Sequence, residues 1–327
     1  METKSINYTP RKLDSFVKSF AKQAGRSFNK EFMLQNAVIV IRDAHDLIPT
    51  DKSLCFNLGA AFALAINTLV GGDFGECKKY SNETFPFEYQ DEYYSQDIAT
   101  RLKDAYELLL CSHEAVSFTT NNNSYSFRFL MQNNGIYKEL SLDVSMRQAD
   151  VFNELMYDIF TFGFILEFIC NNLPGNVLMG KIVITIDEMY AQEASVNIYK
   201  NFDVTRWYQK AFDSAVTDER GQERGMSKIS FKDAVEIKDF LHNDDVDYKR
   251  LFHLSRYWLD WLNVCLMMLS ENIPEGARDT LVTKFYTRIL DYTLRHVLRL
   301  SLEKKNIVDV RTIKAHERPG KRIKKGL

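Results

Sequence analysis

The charged side chains between residues 147 and 158 are the part of the sequence best suited to ligand chemistry. Arg147 offers a guanidinium, whose planar fork matches two phosphate oxygens at once. Three carboxylates follow it at steps of four residues, on Asp150, Glu154 and Asp158. Side chains four apart lie along one helix face, so the spacing predicts a row of acceptors beside a cation. We expect a ligand site there.

The same residues allow simpler roles, and the sequence leaves these alternatives open. Arg147 also fits as an ion-pair partner of Asp150 or Glu154, and Asp158 also fits as a solvent-facing helix residue. The three carboxylates suit a divalent cation, because hard cations take oxygen ligands, but stacked carboxylates on an exposed helix are more often just solvated. The six histidines show no H-x-x-x-H spacing, so the sequence predicts no metal site.

Strand and helix patterns predict how these residues are positioned. Apolar and polar residues alternate over 125–130 and 140–147, and Asn133-Asn134-Gly135 between them is a hairpin signal, so these two strands are expected to pair. Residues 150–170 have helical spacing and are apolar nearly all round, which predicts a helix buried in the centre of a domain. A strand over 181–187 is predicted to lead into Glu188 and Tyr190.

The remaining first half is predicted to alternate helices, strands and loops. Strands are expected over 38–41 and 115–120, helices over 13–21 and 96–110, and loops over 25–31 and 77–92. Residues 53–72 carry no charge, which is long enough for a membrane span. Because this segment includes Asn57, Asn67 and Thr68, which are costly in lipid, a buried helix is favoured.

Composition limits the class of protein. A chain of 327 residues, 45% hydrophobic and 13% aromatic, can form one large domain or a domain with a helical extension. The net charge of -2 gives no overall attraction to nucleic acid or membrane. Five scattered cysteines without C-x-x-C spacing argue against a disulfide framework or zinc site and favour a reducing cytoplasm. The first residues do not have the pattern of a signal peptide.

The sequence predicts three regions: an α/β domain over 1–204, a helical region over 205–302 and a basic tail over 303–327. The helical region is expected to hold a loop over 206–225 and helices over 231–241, 248–270 and 279–302. Trp258 and Trp261 are expected in its core, with a cofactor site or an oligomer face as the alternatives. Residues 301–327 hold nine Lys or Arg against three acids, which suits a nucleic acid or acidic partner, or simply a solubilising end.

The sequence resembles the thymidylate synthase and pyrimidine hydroxymethylase superfamily. Residues 147–159 resemble the family's Arg-Ser-x-Asp-x-x-x-Gly-x-Pro-[Phe/Tyr]-[Asn/Asp]-[Ile/Leu] block. Residues 125–135 resemble the strand and turn after its nucleophile, and 186–190 its block ending in His-[Ile/Leu]-Tyr. Residues 62–71 resemble its Ala-rich helix, and 25–31 its phosphate loop. The resemblance implies an α+β fold, with a mixed sheet and a long buried central helix, followed here by a C-terminal helical extension.

The resemblance also implies roles for individual residues. Arg147 and Arg26 would contact a phosphate, and Tyr190 would reach the sugar hydroxyl. Asp158 stands where the family reads the pyrimidine edge, and a carboxylate there is similar to the cytosine-reading branch because it accepts from the 4-amino group. The rest of the implied ligand-binding set is Gln148, Asp150 and Glu188. Family members pair through the back of the sheet, which implies a homodimer.

The chain departs from the family at the groups that carry its chemistry. The family's cysteine attacks the pyrimidine at C6, but Asn123 stands at that position, and an amide is not a nucleophile. Leu64 replaces the glutamate of the Ala-rich helix, and His113 replaces a second phosphate arginine. We expect a nucleotide-binding protein whose cysteine-dependent one-carbon transfer is lost or altered. The alternatives are an active transferase of the thymidylate synthase or dCMP hydroxymethylase type, which would need a reduced folate, and a scaffold protein.

Overall fold

The computed structural model describes residues 5–8, 32–42, 58–73, 75–80, 92–121, 124–151, 154–191, 225–242, 251 and 253–272. Six strands form one mixed sheet in the order β1-β2-β6-β5-β4-β3. The strands are β1 (Ser5–Tyr8), β2 (Phe32–Ile41), β3 (Ala115–Thr119), β4 (Tyr125–Asn133), β5 (Lys138–Asp150) and β6 (Val177–Ala191). The five described α-helices are α1 (Leu58–Val70), α2 (Glu92–Leu110), α3 (Leu155–Asn172), α4 (Phe231–His242) and α5 (Arg256–Asn272). The expected α+β class with a mixed sheet is confirmed.

The predicted hairpin is present, because β4 and β5 pair antiparallel from Asn133 and Lys138 to Tyr125 and Met146. Gly135 adopts a left-handed φ of 84°, which glycine takes without steric penalty. The Asn133 side chain accepts a hydrogen bond of 3.0 Å from the Gly135 N–H. The alternation also holds, with apolar side chains buried from Leu140 to Met146. The turn and the period-two pattern therefore fix this register together.

A parallel crossover links the next elements: β5 leads through α3 to β6, which pairs with β5 in parallel. The predicted boundary between strand and helix was wrong. β5 continues to Asp150 and α3 begins at Leu155, whereas the sequence pattern placed residue 150 on the helix. Fifteen of the 18 residues of α3 are buried, because one side of the helix packs on β5 and β6 and another on α1.

Helix α1 lies at the centre of the helix layer and contacts α2, α3, α4 and α5. Its residues from Gly59 to Leu69 are all buried, which explains why this segment carries no charge. Its polar side chains are hydrogen-bonded within the fold: Thr68 donates to the Leu64 carbonyl at 2.8 Å, and Asn67 donates to the Asp73 carbonyl at 2.9 Å. No described helix is both long and apolar enough to cross a membrane.

The expected core position of the two tryptophans is confirmed, since Trp258 is fully buried and Trp261 is 3% exposed. Trp258 lies 5.9 Å from Phe164, and Trp261 lies 5.6 Å from Phe160, so α5 runs antiparallel to α3. Trp258 also donates from Nε1 to the Ser227 carbonyl at 2.8 Å. Helix α5 begins at Arg256, later than residue 248, and before it the Leu254 N–H donates to the Leu251 carbonyl at 3.0 Å.

Two further findings differ from the sequence pattern. Strand β1 was not predicted, and the loop predicted over 77–92 begins inside a 3-10 helix, Gly75–Tyr80. Cys77 and Tyr80 in that helix are buried, and the Tyr80 hydroxyl donates to the Leu241 carbonyl of α4. Several predictions lie outside the described residues: the helices over 13–21 and 279–302, the loops over 25–31 and 206–224, and the basic tail.

Candidate functional site

The predicted site residues that the structure describes lie on β5, on β6 and in the first turn of α3. The Arg147 backbone N–H donates to the Ser124 carbonyl at 3.3 Å. The backbone of Arg147 therefore pairs with Ser124, which follows the predicted nucleophile position 123. Its side chain is exposed and forms no ion pair with Asp150 or Glu154 within the described part of the chain. The alternation of buried apolar and less buried polar side chains along β5 ends at Met146, because Arg147 and Gln148 are both exposed.

The pairing of β5 with β6 brings two more pairs of predicted residues together. Asp150 is the register partner of Tyr190, and Gln148 is the partner of Glu188. The Val151 N–H donates to the Tyr190 carbonyl at 2.9 Å, which extends the pairing past the end of β5. Arg147 precedes Asp150 by three residues, so it lies roughly 10 Å from the level of Tyr190 along the strands.

Asp158 lies in the first turn of α3 and is 6% exposed, so a solvent-facing role is excluded. Its Oδ2 lies 3.5 Å from the hydroxyl of Tyr125, the first residue of β4, which acts as the donor. The amino-terminal end of a helix favours a negative charge, which helps to hold this buried carboxylate. Sequence reasoning missed Tyr125, although its inward position beside Phe127 implied that its hydroxyl needed a buried partner.

Asp150 and Glu154 do not continue the row from Asp158, which corrects the prediction of one exposed carboxylate face. Asp150 is the last residue of β5 and is 1% exposed, while Glu154 is the N-cap residue of α3. Glu154 Oε2 accepts a hydrogen bond of 2.9 Å from the Asp150 N–H. Burial raises the pKa of Glu154 and the Asp150 carboxylate adds to this, while the hydrogen bond from Asp150 opposes it. The Glu154 side chain therefore joins the end of β5 to the start of α3.

A second cluster, which sequence reasoning also missed, stabilises the end of β3 against α2. Asp97 Oδ2 accepts from the Asn121 N–H at 2.8 Å, and Oδ1 accepts from the Asn121 side chain at 2.9 Å. Arg101 donates to Asp97 at 2.8 Å and to the Asn121 side-chain oxygen at 2.6 Å. The i, i+4 spacing of Asp97 and Arg101 was the available signal. This cluster anchors the chain two residues before position 123.

Within the described residues, no hydrogen bond joins a thiol to Arg147 or Ser124. Cys111 precedes the Ala115 end of β3, whereas Ser124 lies near its Thr119 end. Cys170 is in the last turn of α3, where burial raises its pKa to about 12. Cys265 lies one turn beyond Trp261 in α5; it is fully buried and donates to the Gly59 carbonyl of α1 at 3.4 Å.

Two predicted positions, Arg26 and Asn123, lie outside the described residues. Leu64 and His113, two other positions at which the sequence departs from the family that it resembles, are described. Leu64 is a buried residue of α1 that is 4% exposed, and His113 is exposed between α2 and β3. A leucine in the core cannot transfer a proton, so the structure offers no acid or base at that position.

No family model matches this sequence, and no curated protein does either. Among solved structures, the chain is similar to the crystal structure of thymidylate synthase from T4 phage. The match has 13% sequence identity and a TM-score of 0.40, and it covers 59% of this chain and 81% of the phage enzyme. At this level the likeness concerns the fold alone and assigns neither a family nor an activity.

Proposed function

We propose that this chain binds a pyrimidine deoxynucleotide, or a related ligand, where β4, β5 and β6 meet the start of α3. The proposal rests on the residues found at this junction of β4, β5, β6 and α3. The backbone of Arg147, whose side chain is exposed, is hydrogen-bonded to Ser124, and the buried Asp158 and Tyr125 lie at the same end of β4. The register partners Asp150 and Tyr190 border it on the β6 side.

The residue types divide recognition into two parts. The exposed guanidinium of Arg147 would bind the phosphate, because it forms two parallel charge-assisted hydrogen bonds. Asp158 would accept from the exocyclic amino group of the base, since an ionised carboxylate only accepts. A cytosine-type base is therefore favoured over uracil. Tyr190 would donate to the sugar, and Gln148, Asp150 and Glu188 would complete the polar border.

We infer that cysteine-dependent one-carbon transfer is lost or altered in this protein. The amide at position 123 cannot attack a pyrimidine, and Leu64 belongs to the core where the family has a glutamate. The alternative is an active transferase that uses a reduced folate and a shifted mechanism. Such a mechanism would need another thiol, and we test Cys265, which is buried against the start of α1 and donates to the Gly59 carbonyl.

A thermal-shift screen tests binding on the full-length chain. dCMP, dUMP, dTMP, their nucleosides and a reduced folate are the probes, and a ligand at a hundred times its dissociation constant adds about 2.7 kcal/mol of stability. We expect stabilisation by dCMP that Arg147→Ala removes and Arg128→Ala preserves. Arg128 is the matched control because it is also an exposed arginine, on the adjacent strand. Equal effects of both variants, or no shift with any pyrimidine, would contradict the proposal.

A tritium-release assay then separates a binding protein from an enzyme. The purified chain is incubated with a C5-tritiated pyrimidine nucleotide and a reduced folate, and we expect no release above background. Measurable release that Cys265→Ser abolishes would instead establish the alternative, an active transferase. Tritium release that is unaffected by Cys265→Ser would contradict both the proposal that one-carbon transfer is lost and the role of the Cys265 thiol.

We also propose a homodimer, and a contact between the basic tail and nucleic acid or an acidic protein. Light scattering on the full-length chain tests the first, where a monomer mass at micromolar concentration would contradict it. Binding of a DNA duplex at low and high salt, compared with a chain that ends at residue 302, tests the second. A salt-sensitive affinity that is lost on truncation is expected, because backbone phosphate contacts release counterions.

A further inference from the structure

Asp233, Glu236 and His253 place one ligand atom each within 4.8 Å of one another. The two acids are three residues apart on α4, and His253 belongs to the short turn before α5. We propose that these three side chains bind a divalent transition-metal ion of the zinc class, which ties α4 to the start of α5. This site uses none of the residues at the strand junction, so it is independent of the proposed function.

The donor atoms are already oriented towards one another. His253 Nε2 lies 2.8 Å from Asp233 Oδ1. The other oxygen, Asp233 Oδ2, accepts hydrogen bonds of 2.8 Å from both the backbone N–H and the hydroxyl of Ser230. Such partners fix the plane of a ligating carboxylate in metal sites. Ser230 therefore holds Asp233 with Oδ1 directed at the histidine ring.

Local charge favours a bound cation. The side chains of Asp233 and Glu236 are only 22% and 19% exposed. Lys232, which lies 4.0 Å from Glu236, is 85% exposed and screened by solvent. A divalent ion would balance the two carboxylates more completely than this one ammonium does.

The mixed donor set selects the class of metal. One imidazole nitrogen and two carboxylate oxygens suit zinc, which takes three protein ligands and leaves a fourth position for water. Magnesium and calcium prefer oxygen ligands alone, so the histidine disfavours them. The sequence predicted no metal site, because His253 and Asp233 are 20 residues apart and only the packing of the helices brings them together.

Zinc titration of the metal-free, full-length chain by calorimetry tests the site, with magnesium as the comparison ion. We expect zinc binding that His253→Gln weakens at least about tenfold, and that Glu236→Gln also weakens. His113→Gln is the matched control, because His113 is exposed on a different part of the fold and should leave this binding unchanged. Melting temperatures in EDTA establish that each variant is folded.

A zinc-dependent rise in melting temperature that disappears in His253→Gln, with an unchanged melting temperature in EDTA, would support the site. If His253→Gln fails to fold, Glu236→Gln decides, because it removes a ligand without touching the cap formed by Ser230 and Asp233. Zinc affinity that is equal in the wild type and Glu236→Gln would overturn the proposal. Equal affinity for magnesium would overturn it too, and the cluster would then be only a helix cap with an ion pair.

Discussion

Phe62 of α1 stacks on Trp261 of α5, with ring centroids 5.0 Å apart and an interplanar angle of 9°. This pair joins two helices that lie far apart in the sequence. Phe62 also lies 6.2 Å from Trp258, so both tryptophans pack on the same side chain. The two differ in one respect, because the buried Trp261 Nε1 has no hydrogen-bond partner among the described residues whereas Trp258 Nε1 donates to Ser227.

This difference predicts unequal effects of replacing each tryptophan with phenylalanine. Trp258→Phe removes the donor to a part-buried carbonyl, which adds about 1–2 kcal/mol to the loss from packing. Trp261→Phe removes an indole N–H that makes no hydrogen bond to the described part of the chain, so it should destabilise less. Urea unfolding at 25 °C measures both free energies. An equal or larger loss for Trp261→Phe would show that its indole nitrogen is paired in solution.

Replacing Asp97 should destabilise the chain at the end of β3. Replacing it with Ala removes the acceptor for Asn121 and Arg101, and we expect a loss of about 2 kcal/mol, typical of hydrogen bonds to a charged group. Hydrogen exchange should also increase at residues 118–126. Asp104→Ala, on an exposed position of the same helix, is the control. Unchanged exchange in Asp97→Ala would mean that the cluster does not hold this turn.

The raised pKa of Glu154 should make the stability of the chain depend on pH. Its pKa is raised above the ordinary value of 4.5, so the folded chain holds a proton that the unfolded chain has released. Stability from this group is therefore present below pH 4.5 and is lost as the pH rises through the raised value. Glu154→Gln keeps an acceptor for the Asp150 N–H but cannot titrate.

Unfolding free energies of the wild type and Glu154→Gln, measured from pH 4 upwards, test this sign. The stability of the wild type relative to the variant should fall as the pH rises in that window. A difference that stays constant, or that grows with pH, would show that the carboxyl is not held in an environment that disfavours its charge.

Thiol reactivity should follow burial and pKa. Cys111 is exposed, while Cys77, Cys170 and Cys265 are buried, and the pKa of Cys170 is about 12. Because the thiolate is the nucleophile, brief alkylation of the native chain at pH 8 should modify Cys111 among these four. Peptide mass spectrometry measures the modified fractions, with the urea-unfolded chain as the control. Rapid native modification of Cys265 would indicate that the helix layer opens at α5.

The sequence predicted the parts of the fold that are specified locally. The hairpin of β4 and β5 depends on Gly135 and on a period-two pattern, both of which are visible in the chain. The start of α3 was misplaced because residues at steps of four from Asp150 suit a helix equally well, and only the pairing with Tyr190 keeps Asp150 in a strand. Contacts such as Asp158 with Tyr125, or His253 with Asp233, depend on packing between distant elements. The division of the chain at residue 204 stays a prediction.

The position of β6 in the sheet has a consequence for how the chain is made. Among the described strands, β6 lies between β2 and β5, with Phe32 paired to Ala191 and Met146 paired to Ile186. The last of these strands to leave the ribosome is therefore the one that connects the two halves. Until it is synthesised, β1 and β2 have no link to the hairpin, and a nascent chain that ends before residue 177 would carry two separate strand groups with exposed edges.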